Sequence, residues 1–146
     1  MSAPLPMSVP LPGLPESVTI YEVGPRDGLQ NEQAVISAAV KSEFIDRLAK
    51  AGLEWIETTS FVHPKWVPQL ADASEVLASL GESGRAHTRP VLVPNERGMD
   101  RAIEAGVTSI AIFGSATETF AQRNLGRSVD ESIEMFAPVV KRAKDA

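Results

Sequence analysis

The sequence predicts an α/β chain of four consecutive βα units around a parallel sheet, and three observations predict it. Short β-branched runs alternate with longer segments whose apolar residues recur at helical spacing. Glycines and small polar residues sit where those helices should start and stop. Strands that alternate with helices are joined by right-handed crossovers, which makes the sheet parallel. Two closures fit that order, an open doubly wound sheet or part of a (β/α)8 barrel. The glycine fingerprint of a dinucleotide fold is missing after the first strand, and charge stands there instead. Charged residues at the carboxyl ends of successive strands are where a barrel enzyme carries its chemistry. A full barrel needs about 250 residues, so this chain of 146 would be half of one.

In order, residues 18–23, "VTIYEV", read as the first strand. Residues 37–52 carry Val40, Phe44, Ile45 and Leu48 at helical spacing, with Ser37 as N-cap and Gly52 as stop. "LEWIETTSF", 53–61, is the second strand. A second helix starts near Gln69 or Asp72, because Pro68 breaks an earlier start. "RPVLVP", 89–94, is the third strand, followed by a short helix from Asn95 as N-cap to Gly106 as stop. "VTSIAIFGSA", 107–116, is the fourth strand. The last helix runs from 128 to 146 and opens on a Ser128/Glu131 capping box. Residues 1–17, rich in proline and lacking Lys and Arg, read as a flexible lead-in, so the folded domain is expected over 18–146.

Composition narrows the function. Hydrophobic residues at 43% and charged residues at 23% are globular proportions. A net charge of -5 argues against a nucleic-acid partner or an anionic membrane surface. No apolar run reaches the ~20 residues of a membrane helix. With no cysteine, the chain offers neither thiolate zinc sites nor a cysteine nucleophile. A cytoplasmic location is expected.

The chemistry centres on "EVGPRDGLQNE", 22–32. Arg26 and Asp27 stand at the end of the first strand between Gly24-Pro25 and Gly28. Pro25 fixes a φ angle and glycine tolerates unusual ones, as expected if both side chains point into a site. Asp27 offers hard oxygens for a divalent cation. Arg26 suits a carboxylate or a developing oxyanion. The bland alternative is a surface ion pair of ~0–1 kcal/mol. Glu57, late in the second strand, would stand beside Asp27, since consecutive strands are usually neighbours. Glu22 is expected to face the interior, partnered by Arg26. His63 reads as a solvated loop residue. Asn124 and Arg127 are placed in a loop after the fourth strand. There Asn124 suits an amide, and Arg127 a phosphate aided by the next helix N-terminus.

The strings "VTIYEVGPRDGLQNE", "IETTSFVHPKWVPQLAD", "PVLVPN" and "IFGSATETFAQRN" closely resemble the 3-hydroxy-3-methylglutaryl-CoA lyases, from Val18 to the C-terminus. "GPRDGLQNE" is the most specific of them, since related Claisen-type synthases and aldolases share only a looser Arg-Asp-Gly pattern. The resemblance implies the N-terminal half of a TIM (β/α)8 barrel. It implies retro-Claisen cleavage of 3-hydroxy-3-methylglutaryl-CoA to acetyl-CoA and acetoacetate, in leucine degradation, with Mg2+ or Mn2+. It also implies that Asp27 is a metal ligand, Arg26 the catalytic arginine that steadies the enolate, and Glu57 an active-site acid. Gln30, Ser60 and Asn124 become candidates for the acyl-CoA substrate path.

The family completes its metal site with a His-x-His pair on the sixth strand and an Asn near the seventh, and uses a cysteine-bearing loop. None of these is in this sequence, so the chain is expected to be an N-terminal fragment, inactive alone. Its expected partner is a complementary C-terminal half or another copy of itself. A related acyl-CoA lyase or synthase, or a non-catalytic assembly module derived from the barrel, are the alternatives. The cut sheet should expose strand edges, with Val91, Val93, Ile110 and Ile112 losing part of their packing.

Overall fold

Among the described residues there are five short parallel strands and five α-helices, arranged in βα order. The strands are β1 (Tyr21–Glu22), β2 (Trp55–Ile56), β3 (Thr59–Ser60), β4 (Val91–Leu92) and β5 (Ile110–Ala111). The helices are α1 (Ala38–Lys50), α2 (Ala73–Leu80), α3 (Glu96–Glu104), α4 (Glu118–Leu125) and α5 (Val129–Asp145). The computed structural model describes residues 13–146. Most of the proline-rich lead-in, residues 1–12, lies outside the described residues, and 13–17 are exposed without strand or helix.

All pairings are parallel and follow chain order: β1 with β2, β3 with β4, β4 with β5. β2 and β3 come from the single predicted second strand. Ladder bonds join them to their neighbours, Glu57 N–H to Glu22 O at 2.8 Å and Thr58 N–H to Pro90 O at 3.0 Å. Among the described residues the strand order never reverses, so they hold no topological switch point of the doubly wound kind. The sheet is wound in one direction, as in a barrel segment.

Two features split the second strand. Pro90 has no N–H to return to the ladder. Moreover, Thr58 N–H bonds Pro90 O while Phe61 N–H bonds Leu92 O at 2.9 Å. The strand thus advances three residues where its partner advances two, which is a β-bulge. Ile56 and Phe61 both pack with the helices although they are five residues apart, because of that extra residue, while Glu57, next to Ile56, points the other way by ordinary alternation.

The helices cover one side of this sheet in sequence. Ile45 of α1 and Val76 and Leu80 of α2 enclose Ile56. Leu77 of α2, Met99 and Ala102 of α3 and Val139 of α5 enclose Phe61, Val91 and Val93. The third strand is therefore fully packed, contrary to the expectation for Val91 and Val93. Ile110 also packs against this cluster, and only Ile112 is left exposed. On α1 the core face is carried by Ile45 with Lys41 and Ser42, while Val40 and Phe44 stay exposed at the open edge. Lys41 Nζ is satisfied there by Asp72 at 2.6 Å and by the Gln69 carbonyl.

Predicted boundaries mostly hold. Gly52, Gly81 and Gly106 end helices at positive φ. Asn95 accepts from Gly98 N–H at 3.0 Å, and both bonds of the Ser128/Glu131 box are present. Ser37 precedes α1 but makes no side-chain cap. The element missed from sequence is α4. Its signals were Thr117, whose side chain accepts from Phe120 N–H, and Gly126 at φ 65.

Candidate active site

The first strand ends in a π-helical turn, Gly24–Gly28. The Val23 carbonyl accepts from Arg26 N–H at 3.1 Å, Asp27 N–H at 2.7 Å and Gly28 N–H at 3.4 Å. Pro25 enters this turn where a missing N–H costs nothing. π-turns are rare and gather at functional sites. A Cβ at Gly24 would lie 2.8 Å from a Glu22 carboxylate oxygen, the mobile end of a flexible side chain. Gly28 faces open space, and neither glycine has a positive φ.

The turn sends the two charges different ways. The Arg26 side chain is 15% exposed and its Nε donates to Glu57 Oε1, with Glu57 only 4% exposed. Arg26 Nη1 donates to Asp27 Oδ1 at 2.6 Å, and the Asp27 side chain is 51% exposed. Glu57 Oε2 accepts from the Tyr21 hydroxyl at 2.8 Å. The result is one cluster, Tyr21–Glu57–Arg26–Asp27, across the carboxyl ends of the first two strands. The sequence brought out three of its members. Tyr21 was missed, and the only signal for it was its place in β1 one residue from Glu22.

Glu22 does not join them. Its carboxylate accepts from Gly24 N–H at 2.6 Å. β1 is in register with β2 so that Glu22 matches the core residue Ile56 and Tyr21 matches Trp55. Glu22 is therefore on the helix side and holds the turn, and Arg26 takes Glu57 as its partner instead.

The other candidates are dispersed. Gln30 is half-buried just past the π-turn. Ser60 is buried in β3, where its Oγ donates to Leu92 O at 3.2 Å and accepts from Val62 N–H at 3.1 Å. Asn124 lies on α4, exposed, and not in a loop. Arg127 is exposed before α5, but the α5 N-terminus is already served by the chain's own acids. Glu131 accepts from Ser128 N–H at 2.8 Å, and Glu118 from Val129 N–H at 3.2 Å. A phosphate there would have to displace them. His63 is exposed, its Nδ1 accepting from Lys65 N–H at 3.2 Å.

Electrostatics follow from the contacts. Burial, then the hydrogen bond to Glu57 and its negative charge, pushes the Tyr21 hydroxyl above the ordinary tyrosine range, and Arg26 opposes this. Among the described residues no group of three or more His, Asp or Glu could hold a metal ion. Asp27 is one carboxylate with one oxygen already on Arg26, so these residues alone do not fit a divalent cation. Concavities of about 680, 580 and 400 Å³ lie elsewhere, beside His63 and Arg101, against α5 beside Phe113 and Phe136, and against α1 beside Val40 and Phe44.

A parallel sheet in chain order, helices on its outside and a cluster of charged side chains at its carboxyl rim define part of a TIM barrel. The chain belongs to the HMGL-like family, whose family model matches residues 17–146. It is 49% identical over 133 residues to the mitochondrial hydroxymethylglutaryl-CoA lyase of Macaca fascicularis, covering 91% of this chain and 41% of that one. It is 48% identical over 134 residues to the cytoplasmic 3-hydroxy-3-methylglutaryl-CoA lyase of Homo sapiens, covering 92% and 36%. Among solved structures, the hydroxymethylglutaryl-CoA lyase from Pseudomonas aeruginosa superposes with a TM-score of 0.80 at 44% identity, over 90% of this chain and 44% of that one. An HMG-CoA lyase from Acinetobacter baumannii, in complex with coenzyme A and 3-methylmalate, gives a TM-score of 0.73 at 32% identity, over 85% and 40%. The chain thus spans about two fifths of the length of these relatives. Among the described residues no helix is long and apolar enough to cross a membrane.

Proposed function

We propose that this chain supplies the Arg26–Asp27–Glu57 portion of a lyase site that cleaves 3-hydroxy-3-methylglutaryl-CoA to acetyl-CoA and acetoacetate. The observation that carries the reading is the Arg26–Glu57 ion pair at the carboxyl rim of two adjacent parallel strands. Retro-Claisen cleavage leaves negative charge on a thioester enolate. A guanidinium has five N–H donors. Glu57 and Asp27 each engage one of them, which leaves others for an enolate oxygen. A donor fixed before the reaction costs no reorganisation during it, and such donors are worth about 3–4 kcal/mol in comparable oxyanion sites.

Glu57 is the active-site acid of this proposal, held at both oxygens. Gln30, Ser60 and Asn124 are its candidates for the acyl-CoA path, with Ser60 acting mainly by shaping the turn at Val62. Asp27 is its ligand for Mg2+ or Mn2+, the further ligands coming from outside the described residues. The partner is a set of βα units that closes the sheet, from a complementary half or a second copy, within a domain reading of 18–146. A cytoplasmic location belongs to the same proposal.

The test is acetoacetate release from 3-hydroxy-3-methylglutaryl-CoA with Mg2+ or Mn2+. Residues 1–146 are assayed alone and after joining to the C-terminal remainder of a family relative. We predict no turnover alone, and turnover in the joined protein that Arg26→Gln or Asp27→Ala abolishes. Turnover that survives either substitution overturns the assigned roles.

A further inference from the structure

Tyr21 is the one tyrosine of the chain and lies outside the residues so far given a role in the reaction. Its ring stacks on Trp55, with centroids 6.5 Å apart and planes 22° from parallel. Trp55 in turn meets His87 edge-on at 5.6 Å. The ring is thus held from β2 while the hydroxyl donates to Glu57 Oε2 at 2.8 Å. Oε1 of the same carboxylate takes Arg26 Nε. The last torsion of a glutamate is soft. A carboxylate gripped at one oxygen can turn and carry its partner with it, whereas one gripped at both oxygens cannot.

We propose that Tyr21 is a positioning residue of this site: its hydroxyl locks the Glu57 carboxylate and, through it, the Arg26 guanidinium, in the orientation that presents the remaining guanidinium donors to an acyl-CoA-derived anion. The consequence for turnover rests on the function proposed above, while the locking does not. Reactive side chains keep their geometry only when the groups behind them are themselves fixed, and Tyr21 is that group for Glu57. The charged groups facing its hydroxyl are Glu57 and Arg26, and their balance with burial keeps the phenol protonated as a donor.

The experiment is NMR on the intact chain with isotope-labelled arginine and tyrosine, where a single tyrosine signal is unambiguous. In the wild type, Arg26 Nε–H exchanges slowly with solvent and Tyr21 stays protonated past the ordinary tyrosine pKa of about 10. Tyr21→Phe keeps the ring stack and removes only the hydroxyl. It is expected to speed Arg26 Nε–H exchange severalfold while leaving distant amide signals in place. Glu57→Gln is expected to move the Tyr21 titration downward. In the joined lyase, Tyr21→Phe is expected to lower kcat about tenfold with KM unchanged, as supporting residues typically do. Unchanged Nε–H exchange in Tyr21→Phe, or an unchanged tyrosine titration in Glu57→Gln, overturns the proposal. So does an active joined enzyme in which Tyr21→Phe costs no turnover. If the joined protein is inactive but both NMR changes occur, the lyase reading fails and the positioning role stands.

Discussion

One carbonyl, that of Val23, decides where the charges of the GPRDG turn go. By accepting from three successive N–H groups it tightens the chain so that Arg26 turns onto the sheet and Asp27 out to solvent. That Arg26 and Asp27 matter was legible from their bracketing residues. That Arg26 pairs with Glu57 and not Glu22 was not, because it depends on which face of β1 each side chain occupies. Tyr21 adds a pH dependence. Its hydroxyl is raised in the folded state, chiefly by burial, so the unfolded chain loses that proton first as pH rises. The associated stabilisation is complete below the unfolded pKa of about 10. It is lost as pH climbs from there through the folded value. We predict an alkaline decline in melting temperature beginning near pH 10 that is shallower in Tyr21→Phe. Equal slopes in the two proteins would show that Tyr21 is not shielded in this way.

At the scale of elements, small residues control how closely backbones meet. Gly98, in the first turn of α3, lies against the strand segment that ends β3. A Cβ there would sit 3.1 Å from the Phe61 carbonyl and 3.0 Å from Pro94 Cδ. Neither atom is the end of a flexible side chain. We predict that Gly98→Ala destabilises by about 1–3 kcal/mol, as overpacking does. Gly28→Ala, which meets open space, should stay within about 0.5 kcal/mol. Denaturant melts of the two variants decide it, and equal losses would contradict the packing described. The helix starts at Asn95 and Ser128 were readable because capping is local, a side chain reaching two or three residues ahead. α4 was overlooked because its short polar run, "ETFAQRNL", has one buried residue, Ala121. Hydrophobic period carries little information in such a helix. The split of the second strand was likewise invisible, since it arises from Pro90 and a ladder offset on a neighbouring strand.

At the scale of the whole molecule, the described residues leave two unpaired strand edges. On one, Val18 and Ile20 of the predicted first strand are exposed, as are Val40 and Phe44 of α1. On the other, Ile112 and Ile133 are exposed at the groove against α5, and Phe120 is exposed on α4. Burying each such side chain is worth about 1.5–3 kcal/mol, against a typical domain stability of about 5–15 kcal/mol. Open parallel edges also template pairing with other chains. We predict that residues 1–146 alone associate with rising concentration and melt broadly. Light scattering coupled to size exclusion measures this. A monomer stable to dilution, with a sharp reversible transition, would show that the edges are not sticky and that the sheet needs no partner.

The βα order, the parallel sense of the sheet, most helix ends and the Arg-Asp turn were determined by sequence alone. Each rests on interactions between residues close in the chain, or on crossover handedness, which periodicity and capping patterns report directly. The family was readable for the same reason: a contiguous string such as "GPRDGLQNE" encodes one turn. Only the tertiary structure decided that Tyr21, 36 residues from Glu57, takes its second oxygen, that Glu22 faces the helices, and that Asn124 rides on a helix. The first two outcomes depend on the register between the strands. A shift of one residue exchanges the two faces of a strand, and no local pattern in either strand records the offset of its neighbour.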